Sequence, residues 1–119
     1  MWLFTPFGFY SVVRIEGAKV LTVRARVRAD LNRLRRRYLP SLSPTVATPM
    51  ADYPYRATVS AADLARAAQR IIEDIDYPNF KNAVLGELGE DREALCHGVW
   101  EVMREATQAR PRSTTRRQR

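Results

Sequence analysis

The sequence predicts an α+β fold: a small antiparallel sheet, formed by a β-hairpin and a third strand, packed against three to four helices in the order ββαβααα. Three observations predict it. Residues 7–28 alternate apolar and polar about a glycine turn, later segments space their apolar residues at the helical repeat, and prolines fall at the junctions. From Phe7 to Ile15, aromatic and β-branched residues dominate, with Phe9, Ser11 and Val13 on one face and Tyr10, Val12 and Arg14 on the other. Glu16-Gly17-Ala18-Lys19 reads as the turn, because Gly17 is free to take positive φ. Val20 to Arg28 alternates cleanly, setting Leu21, Val23, Ala25 and Val27 against Thr22, Arg24, Arg26 and Arg28.

Asp30 is the expected N-cap of a helix that Pro40 stops near Leu39. Leu31, Leu34, Tyr38 and Leu39 form its buried stripe, and Asn32, Arg33, Arg35, Arg36 and Arg37 face outward. Pro40, Pro44 and Pro49 mark a long connection over 40–52, of the kind that is often functional. Tyr53 to Val59 is the third strand. Ser60 and Asp63 approximate a capping box for a helix to about Asp76, which buries Leu64, Ala68, Ile71, Ile72 and Ile75. A short helix over Asn79–Leu88 and a last one over Asp91–Gln108 follow, the last with Leu95, Val99, Val102, Met103 and Ala106 inward. The domain is expected to span 1–109, and the Arg-rich run 110–119 to be a disordered tail. Exposed sheet edges favour a homodimer.

Charge is laid out in blocks. Nine Lys/Arg and two acids give residues 1–37 a charge of +7, six and eleven give residues 38–109 a charge of −5, and five arginines give residues 110–119 a charge of +5. Eighteen of the twenty basic residues are arginine, which suits phosphate contacts but also follows from a GC-rich genome. The single cysteine, Cys96, makes no internal disulfide and fits a reducing compartment. The apolar start, Trp2–Val13, has no basic residue ahead of it and is broken by Thr5, Pro6, Gly8 and Ser11. A dozen or so residues are too few to cross a bilayer. No membrane association and a cytoplasmic location are therefore expected.

Met1-Trp2-Leu3-Phe4-Thr5-Pro6-Phe7-Gly8-Phe9-Tyr10-Ser11-Val12-Val13 resembles the opening of a set of small bacterial proteins to which no activity is attached. The likeness extends to the Arg-rich second strand, Asp-Tyr-x-Tyr-Arg at 52–56, Asp-Tyr-x-Asn-Phe-Lys at 76–81, and His97 followed by Val99 and Trp100. It covers residues 1–106 and implies a bacterial cytosolic protein.

Two binding constellations emerge. Arg24, Arg26 and Arg28 share a strand face, about 6.6 Å apart, and Arg33, Arg35, Arg36 and Arg37 extend it along the next helix. Such a surface neutralises phosphates, and Tyr10 would stack a base if it shared that face. Against this, the same arginines could pair with Glu73, Asp74, Glu87, Glu90 or Asp91 of the acidic stretch. Phe7–Val13 echoes the aromatic strand of RNA-recognition motifs, but the element order is wrong for that fold. The second constellation is a polar ligand pocket of Tyr53, Tyr55, Arg56, Asp76, Tyr77, Asn79 and Lys81, drawn from the two Asp-Tyr-Pro triplets and their flanks. Turn and cap chemistry explains the same residues without any ligand.

Catalytic signals are sparse. Cys96 and His97 are adjacent on a helix and cannot face each other. Glu93, His97 and Glu101 share a helix face, but a solvated face explains them better than a metal site does. No cofactor motif is present. The expected function is a non-enzymatic binding protein that engages nucleic acid or a nucleoprotein through the Arg surface and tail. The alternative is a protein–protein adaptor or inhibitor using the acidic middle and the 40–52 loop. An enzyme around Tyr55, Asp76 and His97 is a distant third.

Overall fold

The computed structural model describes residues 1–108, so the expectation of a disordered tail at 110–119 lies outside the described residues. The fold is α+β. Five strands, β1 (Trp2–Thr5), β2 (Gly8–Val13), β3 (Leu21–Ala25), β4 (Val46–Ala47) and β5 (Tyr55–Val59), form an antiparallel sheet in the order β1-β2-β3-β5-β4. The helices are α1 (Arg28–Arg37), α2 (Ala61–Glu73), α3 (Phe80–Leu88), α4 (Glu90–Met103) and the single turn α5 (Glu105–Gln108). Among the described residues no helix is long and apolar enough to cross a membrane.

The hairpin forms as the alternation requires, with Val12 opposite Val23 and Ser11 opposite Arg24. Gly17 takes φ +82° in the connection. Leu21, Val23 and Ala25 point to the core, where Leu31 and Leu34 of α1 and Leu64 and Ala67 of α2 meet Tyr10, Val12, Ala57 and Val59. Each fully buried aliphatic side chain contributes about 1.5–3 kcal/mol. This packing covers one face of the sheet.

Several boundaries differ from expectation. Trp2–Thr5 is a strand of its own, folding back on β2 through Pro6 and Phe7. Val46–Ala47 adds a short edge strand within the 40–52 connection, which is tied down rather than loose: Arg35 donates to the carbonyls of Leu42 and Ser43 and to Thr45 Oγ1. β3 ends at Ala25, so Arg28 lies in the first turn of α1 and Val27 is exposed instead of inward. Val27, without a side-chain cap, occupies the N-cap position expected for Asp30. In α2, Ser60 accepts from the Asp63 amide as the capping pattern requires. The helix ends at Glu73, and Ile72 (65% exposed) and Ile75 (51%) are not buried. Leu64, Ala67 and Ile71 keep one helical face, and Ile72 sits roughly 100° further round. The last helix breaks at Arg104, and Leu95, Val99, Val102 and Met103 remain exposed; no residue of α4 is buried. The helical hairpin α3–α4 therefore meets the body through few side chains.

Candidate nucleic-acid interface

A buried carboxylate joins the two parts of the molecule. Asp30, 2% exposed, accepts from the Phe9 amide (3.0 Å), Arg33 Nη2 (2.6 Å), and Arg92 Nη1 and Nη2 (3.3 and 2.6 Å). Four bonds fill the four acceptor positions of a carboxylate. Asp30 lies inside the first turn of α1, past the N-cap, and its oxygens are spent on β2, on α4 and on Arg33 of its own helix. Tyr10 Oη donates to the Asp30 carbonyl at 2.7 Å. Burial pushes the Tyr10 hydroxyl far above its ordinary titration range, so it stays protonated. Gly8 is required beside this pair: a Cβ there would lie 2.5 Å from Tyr10 Oη and 2.9 Å from Asp30 Cγ. A second, exposed ion pair, Arg37–Glu87 (2.5 Å), also ties α3 to α1.

The other face of the sheet carries Trp2, Phe4 and Phe9. Phe4 stacks on Phe9 with centroids 4.5 Å apart, and Trp2 meets both edge-on. Beside them, Arg24 and Arg26 place their guanidinium carbons 4.5 and 4.6 Å from the centroid of the Tyr53 ring. Arg24 also donates to Ser11 Oγ (2.7 Å), Arg26 to the Asp52 carbonyl (3.2 Å) and Arg56 to the Tyr53 carbonyl (3.3 Å).

Between this face and α3–α4 runs a groove of two chambers, each about 360 Å³. The first lies among Trp2, Phe9, Tyr53, Arg26, Val84, Leu88, Arg92 and Leu95, with Gly8 and Asp30 at its wall. The second is bounded by Asn79, Phe80, Lys81 and Trp100, and Phe4, Cys96 and Val99 belong to both. Lys81 Nζ lies 4.8 Å from the Trp100 ring centroid and 3.0 Å from His97 Nδ1. Burial raises the Cys96 thiol, making it a poor nucleophile at neutral pH.

The expected Arg surface is thus divided. Arg24 and Arg26 stay together on the aromatic face. Arg28 covers Tyr55 on the opposite, core-facing side of the sheet, its guanidinium 4.8 Å from the ring centroid. Arg33 and Arg37 pair with Asp30 and Glu87, and Arg35 binds the 40–45 backbone; Arg36 is exposed on α1. Tyr10 is fully buried in the core and offers no ring to a base, because it alternates away from Phe9 and Ser11. The residues of the expected polar pocket do not converge either. Tyr53 lines the first chamber, Asn79 and Lys81 the second, and Asp76 and Tyr77 a separate hollow with Arg37 and Glu87; Tyr55 packs against the core and Arg56 lies along the sheet. Asn79 also caps α3 by accepting from the Asn82 amide. Glu93, His97 and Glu101 do not assemble a ligand set: among the described residues, no group of three or more His, Cys, Asp or Glu is placed to hold a metal.

Sequence reasoning missed the groove's own rings, Trp2, Phe4, Phe9, Phe80 and Trp100. The signal that could have found them is positional. The five segments singled out in the sequence, 1–13, the Arg-rich strand, 52–56, 76–81 and 97–100, all supply residues to this groove or its rim. Comparison of the chain with protein-family models, curated proteins and solved structures gives no significant match.

Proposed function

We propose that the chain is a non-enzymatic binding protein that takes up a single strand of nucleic acid along the groove. The observation that carries this reading is the interleaving of rings with cations. Trp2, Phe4, Phe9, Tyr53, Phe80 and Trp100 line the two chambers. Arg24, Arg26 and Lys81 stand beside these rings, without a carboxylate partner among the described residues. Aromatic faces stack bases of any sequence, and cations alongside track the phosphates. Among the described residues, Asp30 is the one acid that lines the groove, and it is neutralised by Arg33 and Arg92. A duplex would present its phosphates outward and its bases stacked inside, so the rings favour single strands.

Fluorescence anisotropy of labelled single-stranded and duplex oligonucleotides tests the reading. The full chain is expected to prefer single strands, with affinity falling as salt rises. Each cation that neutralises a phosphate contributes about −0.7 to the slope of log K against log salt. With plain oligothymidine, replacing Arg24, Arg26 and Lys81 together by Ala is expected to flatten the slope by about 2. An unchanged slope and affinity would assign the binding to charges elsewhere and remove the groove from the account.

A second reading is favoured by α4, whose Leu95 (66% exposed), Val102 (63%) and Met103 (62%) form an apolar flank suited to a protein partner. The triple Ala variant would leave such a partner's binding intact.

A further inference from the structure

The first chamber is selective in the polar chemistry it offers. Thr5 Oγ1 is engaged, donating to the Gly8 carbonyl and accepting from the Phe7 amide. Asp30 accepts four hydrogen bonds and has no acceptor position left. Arg92 uses only two of its five N–H groups on Asp30, one from each Nη. Its Nε edge, with a further N–H on Nη, is a second planar fork. Arg26 reaches the same chamber from the rim, spending one Nη on Asp52. The Tyr53 hydroxyl can act either way, and the protonated Cys96 thiol is a weak donor. The side chains left to meet a ligand are thus biased to donors, set among apolar walls.

Asp30 also fixes the geometry. Its end-on pair with Arg92 holds the guanidinium against the chamber, and Arg33 and the Phe9 amide hold the carboxylate. The Asp30–Arg33–Arg92 cluster keeps one net positive charge, so a ligand edge rich in acceptors is favoured there. A planar ring with two adjacent acceptors fits both the apolar walls and the fork. Among the bases, guanine presents O6 beside N7, whereas adenine sets its N6 donor beside N7.

We propose that the first chamber receives one unstacked guanine of the bound strand, its O6 and N7 accepting from Arg92 and Arg26. This rests on the single-strand reading of the groove and adds base choice to it. The remaining bases lie over Trp2, Phe4 and Trp100 without selection, so the protein reads one position and tolerates the rest.

Anisotropy titrations of the full chain with short oligothymidine strands test this, each strand carrying one central dG, dA, inosine or 7-deazaguanine. The dG and inosine strands, which both keep O6 and N7, are expected to bind roughly 5- to 100-fold tighter than the dA strand. The 7-deazaguanine strand, lacking N7, is expected to lose most of that advantage. Arg26→Gln should shrink the dG-to-dA ratio while binding of plain oligothymidine falls less. Equal affinity for dG and dA, or undiminished binding of 7-deazaguanine, overturns the guanine pocket and leaves the groove reading standing. Failure of every strand to bind overturns both.

Discussion

Replacing Asp30 by Ala is expected to cost about 3–5 kcal/mol of folding stability, measured by urea denaturation. The cost follows from what the substitution leaves behind. Arg33 and Arg92, with side chains only 22% and 23% exposed, would lose their shared counter-charge, and the Phe9 amide its acceptor. Partly buried cations without partners are far more costly than the pair was favourable. The same residue links α1, β2 and α4, so its loss detaches α4 from the sheet at the groove's wall. Glu87→Ala provides the contrast. Its pair with Arg37 is exposed on both sides (39% and 38%), and such pairs contribute at most about 1 kcal/mol. Equal losses from the two variants would show that Asp30 acts as a surface charge and is not the keystone of the groove.

The second large effect concerns binding. Trp2 is 65% exposed and Trp100 48%, so both rings present area to a ligand that the fold does not use. Stacking of one base on one ring contributes about 1–3 kcal/mol. Removing both rings in Trp2→Ala/Trp100→Ala is therefore expected to weaken single-strand binding by about 2–6 kcal/mol, roughly 30-fold to 20,000-fold. Folding stability should fall less: Trp2 gives up edge-on packing on Phe4 and Phe9, worth about 0.5–1.5 kcal/mol each, and Trp100 its stacking on His97 and its contacts with Lys81 and Arg104 at the surface. Affinity and stability thus move separately. Retained binding in the double variant would mean that the strand, if bound, lies elsewhere.

Local patterns made the hairpin and the second helix legible. Alternation over Leu21–Ala25 dictates which side chains face the core, and Ser60 with Asp63 marks where α2 begins. The strand Trp2–Thr5 was hidden because four residues are too few to establish a period. Arg28 kept the alternation of β3 in sequence, yet the chain bends at 26–27 into α1, and a two-residue pattern cannot report a bend. Tyr10 posed the harder problem. Both faces of β2 are largely apolar, so alternation separates Tyr10 from Phe9 without saying which of them meets the helices.

The groove was less legible than the fold for the same reason. Apolar spacing on α4 correctly groups Val99 and Met103 on one side of the helix, but that side meets the groove and solvent, not a core. Asp30 looked like a helix cap because capping is the local use of an aspartate at that position. Beside the local Arg33, its partners Phe9 and Arg92 stand 21 residues before it and 62 after it, a separation that no local pattern encodes. Lys81 and Tyr53 were recognised as polar candidates, but their pairing with Trp100 and with Arg24 and Arg26 depends on how the hairpin docks.

The chain contains two tryptophans, and both line the groove, one in each chamber. Intrinsic tryptophan fluorescence during titration with a short oligothymidine therefore tests the central claim most directly. Saturable quenching is expected, reduced in each single Trp variant and weakened by salt in step with the anisotropy measurement. Binding detected by anisotropy with no change in tryptophan emission would contradict the account, because the strand would then be held without touching the groove.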